Sequence, residues 1–250
     1  MLISNLAMQE ISNKQHLLAE HYSEKDLVPS LCDMYVSHYT DCAVLVVFSS
    51  RDKNLLAYKI ANPIDQLAMV EPWMKTDFNQ IITVSFTTDF FVTPAAFAAN
   101  AYNHQKLSGQ VMVDYEDPNS SASVHYLNGL IIFHLLKKQA SQLYLYRTGN
   151  QYSILLMNFD QCLLANTYQC DSETEVLYFL LNALQISDLL PSDATLNLDY
   201  SILRQTEMVK FLSPHFSKNV VLNYAFEHVN PAVPDLQEKL FACYAASLCA

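Results

Sequence analysis

A chain of 250 residues, 51% apolar and 12% aromatic, holds enough material for one large core or two domains of about 110 residues, and this composition excludes disorder. Its 14 basic residues stand against 25 acidic ones, a formal charge of −11, with no basic cluster denser than Lys137 and Lys138. Nucleic acid and anionic membrane surfaces demand a concentrated basic face, so neither is expected as a partner.

Residues 1–30 are polar and mildly helical, an extension expected to pack on the body or stay mobile. From residue 31 the texture changes. Cys32, Met34 and Val36 alternate with Asp33, Tyr35 and Ser37, the period of a half-buried strand. Residues 42–48 form a β-branched apolar run, and 55–60 read as a third strand after the turn Ser50-Arg51-Asp52-Lys53. Asn62 as N-cap and Pro63 at the first position predict a helix carrying Ile64, Leu67, Ala68, Glu71 and Met74. Residues 81–86 then read as a strand, 94–101 as a short helix and 111–115 as a strand. A helix over 130–140 follows, with Ile131, Leu135 and Leu136 on its apolar face.

At Leu143 the pattern starts again. Strands over 143–147 and 152–159 flank the turn Thr148-Gly149-Asn150, and 162–168 read as a third. Ser172 and Glu175 make a capping box for a helix carrying Val176, Leu177, Leu180, Leu181 and Leu184. Residues 195–199 read as a strand, 203–212 as a helix and 219–224 as a strand. The last helix opens at Pro234 and carries Leu236, Leu240, Phe241, Tyr244 and Leu248. Both halves therefore spell β-β-β-α-β-α-β-α. Counted from Leu31 and Leu143, the first helices begin about 31 and 29 residues in, and the fourth strands about 50 and 52. The second helices begin about 63 and 60 in, and the fifth strands about 80 and 76. These offsets agree within the error of such boundaries. A non-duplicated α+β fold is the alternative.

Three stretches carry a resemblance. Phe90-Phe91-Val92-Thr93-Pro94-Ala95-Ala96-Phe97 is similar to a hydrophobic VPxxxF segment. Leu164-Ala165-Asn166-Thr167-Tyr168 is similar to an L-x-N-x-F third strand, and Leu177-Tyr178-Phe179-Leu180-Leu181, within 173–184, to a YFLL helix. With the doubled element order, the chain resembles an uncharacterised bacterial family of actin-like ATPase (ribonuclease H-like) fold, the superfold of actin, sugar kinases and Hsp70. That family is distantly similar to pilus-assembly and cell-division proteins. The match is clearest over 143–224, looser over 31–105 and absent over 1–30. It rests on packing motifs, so it speaks for fold more than activity. It implies a duplicated α/β architecture of two β-β-β-α-β-α-β halves with mixed sheets: an extension over 1–30, a first half over 31–141 and a second over 142–250.

The departures from working actin-like ATPases are informative. Those enzymes place an Asp-x-Gly turn between the first two strands of each half, where backbone amides hold phosphates. Here the matching turns read His38-Tyr39-Thr40-Asp41 and Arg147-Thr148-Gly149-Asn150. The Gly-Gly pair that lets adenosine approach the backbone is replaced by Asp199-Tyr200-Ser201. Glycine is scarce throughout. Gly109, Gly129 and Gly149 are the whole complement, against roughly 17 or 18 at ordinary usage. No two lie closer than 20 residues apart, so neither a phosphate loop nor a dinucleotide fingerprint can be written. No cofactor is expected.

Other constellations have plainer readings. Arg147-Thr148-Gly149-Asn150 can cradle an anion, but a tight hairpin needs the same residues. Asp33, Asp41 and Asp199 are single acids at strand ends or turns, read as solvated caps rather than metal ligands. His16 and His21 are five residues apart, off one helical face, so no zinc site follows. Cys42 with His38 lacks the setting of a nucleophile pair. The six cysteines, Cys32, Cys42, Cys162, Cys170, Cys243 and Cys249, form no C-x-x-C pair and read as buried hydrophobes of a reducing compartment. Tyr144, Tyr146, Tyr152, Phe159 and Tyr168 fit a half-buried pleated surface, or an interface if exposed. The opening MLISNLAMQE lacks a basic n-region, and the apolar runs at 43–48 and 130–136 are too short for a bilayer. A cytoplasmic protein without signal peptide or membrane insertion is expected.

No catalytic, cofactor-binding or metal residue is assigned. The expected function is that of a nucleotide-binding-deficient actin-like protein, a binding or scaffolding module for a protein partner. The alternatives are a divergent actin-like ATPase holding Mg-ATP in the cleft between halves, and a small-molecule enzyme.

Overall fold

The computed structural model of the protein describes residues 17–22, 27–39, 42–61, 76–86, 90–94, 103–107, 111–115, 123–137, 139–199, 202, 205–221 and 236–249. Strand β1 (Leu17–Tyr22) lies at the edge of a first mixed sheet, antiparallel to β4. There β2 (Cys32–His38), β3 (Ala43–Ser49) and β4 (Leu55–Ala61) form an antiparallel meander, and β5 (Gln80–Ser85) pairs parallel to β2. A separate antiparallel sheet follows, built from β6 (Phe90–Pro94), β7 (Asn103–Leu107) and β8 (Val111–Tyr115) in the order β6-β8-β7. The chain then returns to the first sheet through β9 (Ser123–His125), parallel to β5, and enters helix α1 (Tyr126–Leu135).

The second sheet repeats the plan. Strands β10 (Gln142–Thr148), β11 (Gln151–Asn158) and β12 (Gln161–Gln169) make an antiparallel meander, followed by helix α2 (Glu173–Ile186). Strand β13 (Thr195–Leu198), helix α3 (Thr206–Leu212) and strand β14 (Asn219–Val221) continue it, with β13 parallel to β10 and β14 parallel to β13. Helix α4 (Leu236–Ser247) closes the chain. The duplicated mixed-sheet architecture read from the sequence is thus present, with β1 added to the first sheet.

Several readings need correction. Residues 17–22, read as part of a mildly helical extension, form strand β1. Residues 111–115 are a strand, as expected, but they belong to the inserted sheet. The fifth strand of the first sheet is Ser123–His125. Its three residues hold one apolar side chain, too little to register as a period. Pro94, read as a helix start, ends β6. The helix expected over 130–140 begins at Tyr126, and Leu136 lies past its end, 68% exposed. The helix expected after Pro63 and most of the one expected over 94–101 fall outside the described residues, as do residues 1–16.

Alternation divides the cores. On β10, Leu143 and Leu145 face α2 and α3, in a core shared with Ile154, Leu156, Leu180, Leu184, Leu196 and Leu212. Tyr144 and Tyr146 point the other way, into a core shared with Tyr35, Val44, Val46 and Phe48 of the first sheet. Helices α1 and α4 lie side by side in that shared core and pack on sheets remote from them in sequence. α1, which follows the first sheet, rests on β11 and β12 while also touching β7 and β9, and α4, which follows the second, rests on β2, β3 and β5. Gly129 sets their separation. A Cβ built there would meet the Ala245 backbone carbonyl, with its oxygen at 2.6 Å and the Ala246 nitrogen at 2.7 Å. Only glycine permits that approach.

Candidate functional site

The strands that define the candidate site end together. β2, β5 and β9 run parallel, so the turn after β2, Phe86 after β5 and Tyr126 after β9 lie at one end of the first sheet. Their rings form a chain into the second sheet. Tyr39 lies 5.0 Å from Phe86, Phe86 5.1 Å from Tyr126, and Tyr126 6.4 Å from Tyr146 near the end of β10. Phe241 of α4 continues the chain, stacked 6.3 Å from Tyr146. Tyr126 and Tyr146 are buried and Tyr39 and Phe86 half-buried, so a chain of aromatic side chains links the ends of the central strands.

Both hairpin turns are closed by their own backbones. The Tyr39 amide donates to the Cys42 carbonyl at 2.8 Å. Thr148 pairs with Gln151 across Gly149 and Asn150. Of those two, only Gly149 has positive φ, +64°, as a type II′ turn requires. Arg147, the candidate counter-charge for an anion, is already engaged. Its guanidinium lies 5.7 Å from the Tyr152 ring. With the Gln205 amide turned to present its oxygen, Nη1 and Nη2 of Arg147 both donate to it, Nη2 at 3.3 Å.

The structure disperses the three acids. Asp33 is buried at the start of β2, the opposite end from the Tyr39 turn. It accepts from Asn79 Nδ2 at 2.7 Å, Ser50 Oγ at 2.8 Å and Lys53 Nζ at 3.2 Å. Burial alone would raise its pKa, but the hydrogen bonds from Asn79, Ser50 and Lys53 and the lysine charge outweigh it and hold the carboxyl below its ordinary value. Asp33 is therefore a buried structural knot, not a solvated cap. Asp199 follows β13, buried, its amide bonded to the Leu145 carbonyl at 3.0 Å. Asp41 and His16 lie outside the described residues. Among those described, no group of three or more His, Cys, Asp or Glu is placed to hold a metal.

All six thiols are free. Burial pushes Cys162, Cys243 and Cys249 up to about 12 and Cys170 up to about 11, so these thiols are inert packing. Tyr144, Tyr146 and Tyr152 are buried, Tyr168 stacks 3.8 Å from Phe179, and Phe159 stands 56% exposed.

No protein-family model and no curated protein matches the sequence. Solved structures do match in fold. One is a Bacteroides thetaiotaomicron protein of unknown function with an actin-like ATPase fold. At 12% identity and a TM-score of 0.65, the alignment covers 86% of this chain and 96% of that one. Another is the PilM–PilN type IV pilus biogenesis complex, at 12% identity and a TM-score of 0.56, covering 88% of this chain and 97% of that one. This chain has the actin-like ATPase fold. The two hairpin turns are then the positions where the resemblance implies phosphate loops, and in this actin-like protein the rings of Tyr39, Phe86, Tyr126 and Tyr146 join them. Sequence reasoning found both turns but missed Phe86 and Tyr126.

Proposed function

We propose that the protein is a non-catalytic actin-like module that binds a protein partner. The aromatic chain between the two hairpin turns carries this reading. A nucleotide in the cleft needs backbone amides open to its phosphates, and here rings pack where the two sheets' strand ends meet. The turns support it as well, since Gly149 serves a hairpin and Arg147 is held by Gln205 and Tyr152. The neighbour in the PilM–PilN complex is itself part of a protein–protein assembly. The charge of −11 favours a partner with a basic or neutral surface.

Two measurements test the proposal. Mg-ATP at millimolar concentration would add roughly 2.7 kcal/mol to a protein with a 10 μM site, so the melting temperature is expected to stay unchanged. A clear rise with Mg-ATP that disappears in Gly149→Ala restores the divergent ATPase. In pull-downs, a specific protein is expected whose capture weakens in Tyr178→Ala or Phe159→Ala, two residues that are 62% and 56% exposed. If repeated pull-downs retain nothing while a metabolite screen finds a ligand, the binding-module reading is wrong and a small-molecule enzyme takes its place.

A further inference from the structure

We propose that Cys42 and Lys239 are the two ends of an oxidant-driven covalent link, a sulfenamide that ties the first hairpin to the C-terminal helix. The Lys239 ammonium donates to Cys42 Sγ at 3.0 Å, across 197 residues of sequence. Nζ also sits 5.2 Å from the centroid of the Tyr39 ring, so the amine lies against the turn that Cys42 closes. Leu236, Leu240 and Phe241, each at most 2% exposed, anchor the helix on either side of the lysine. The other thiols with described hydrogen bonds face oxygen. Cys32 donates to the Val28 carbonyl at 3.1 Å, Cys162 donates to that of Leu164 at 3.5 Å, and Cys243 meets Ser37 Oγ at 3.5 Å. Cys42 faces nitrogen.

That difference decides the chemistry once the sulfur is oxidised, because a sulfenic acid condenses with a nearby nitrogen to give an S–N bond. Cys42 is fully buried, so a small neutral oxidant such as hydrogen peroxide is the class that reaches it. Peroxide transfers one oxygen to the thiol, giving Cys42–SOH and one water, so sulfur loses two electrons and peroxide gains them. The half-buried Lys239 ammonium releases one proton to solvent. Its lone pair then attacks sulfur, the N–S bond forms and the S–O bond breaks, and hydroxide leaves with a proton from nitrogen as a second water. One thiol, one ammonium and one peroxide thus give one S–N bond, two waters and one proton. A thiol reductant reverses the link and regenerates both side chains. While it stands, α4 is tethered to the first sheet beside the aromatic chain.

Peptide mapping of the full-length protein tests this. The folded chain is treated with millimolar hydrogen peroxide, its remaining thiols are blocked with N-ethylmaleimide, and it is digested without reductant. The expected product joins the Cys42 and Lys239 peptides, is lighter than their sum by two hydrogen atoms, and separates on adding dithiothreitol. Lys239→Met, which keeps the aliphatic stem, should abolish the pair while Cys42 still oxidises. Recovery of Cys42 as an unreacted thiol, a sulfinic acid or a disulfide with Cys243, without the Lys239 peptide, overturns the proposal. The wild-type map decides the question even if a variant folds poorly.

Discussion

Gly129 shows what one hydrogen in place of a methyl group achieves. Alanine there gains up to about 1 kcal/mol of helix propensity, but its Cβ would press on the Ala245 and Ala246 backbone, which has no flexible end to swing away. Overpacking costs about 1–3 kcal/mol, so Gly129→Ala should destabilise by about 1 kcal/mol net. Thermal denaturation followed by circular dichroism should show a melting temperature lower by roughly 2–4 °C; an unchanged or higher value removes the close-approach argument. His134 carries a second prediction at this scale. Its ring stacks 3.6 Å from Tyr144, Nε2 meets the Tyr146 hydroxyl, and Nδ1 is buried without a partner. Burial, with a smaller push from the Lys137 charge, holds its pKa well below 6.5. The unfolded chain therefore takes up this proton first. The associated stability is fully present above pH 6.5 and is lost as pH falls below it toward the folded value. The fall in melting temperature between about pH 7 and 5 should be shallower in His134→Gln than in the wild type. Identical slopes would mean His134 contributes nothing to the pH dependence. Asp33 acts lower on the scale. Its folded pKa lies below 3.8, so its contribution holds above that value and is lost only in stronger acid.

Among the elements, α2 has the strongest local signal. Ser172 Oγ accepts from the Glu175 amide at 3.3 Å, and Glu175 reaches back to the Asp171 amide at 2.8 Å, one residue earlier than a standard box. Ser172→Ala should cost about 1 kcal/mol, seen as a drop in melting temperature of roughly 2–4 °C. Strand β12 is the opposite case, an edge strand of nine residues without a charge or a proline. Such an edge templates pairing with another chain. Two devices blunt it. A bulge puts Leu163 outside the register between Leu164 and Cys162, and Asn166 Oδ1 accepts from the Thr167 amide at 2.9 Å. Asn166→Val leaves that amide open in a strongly β-forming context. Light scattering should show concentration-dependent self-association absent from the wild type, and a monodisperse variant at high concentration would contradict the guarding role.

For the molecule as a whole, the placement of α1 and α4 decides how the halves cohere. Leu236, Leu240 and Phe241 of α4 are buried in the core shared by both sheets. Full burial of each is worth about 1.5–3 kcal/mol, so together they contribute roughly 5–9 kcal/mol, comparable with a domain's whole stability of about 5–15 kcal/mol. A chain ending at residue 235 should therefore lose cooperative unfolding and the dispersed amide spectrum of the first sheet. A sharp transition within a few degrees of the full chain would show that α4 is dispensable. Among the described residues, no helix is long and apolar enough to cross a membrane.

The amino-acid sequence by itself determined the meanders and their turns. β2, β3, β10 and β11 are buried on both faces and so appear as continuous apolar or alternating runs. Gly149 and Ser172 announce a turn and a cap through chemistry local to a few residues. The absence of glycine from the first hairpin and from the stretch after β13 was legible for the same reason. The inserted sheet was not, because β7 reads Asn-His-Gln-Lys-Leu and has no apolar face to betray it. Nor was the exchange of α1 and α4, the ring chain from Tyr39 to Tyr146, or the meeting of Lys239 with Cys42. Those depend on contacts between residues far apart in sequence, 206 residues in the case of Ser37 and Cys243. No local period or propensity records such distances. Only the packing of the two sheets around one shared pair of helices decides them, and that pair sits as close as Gly129 allows.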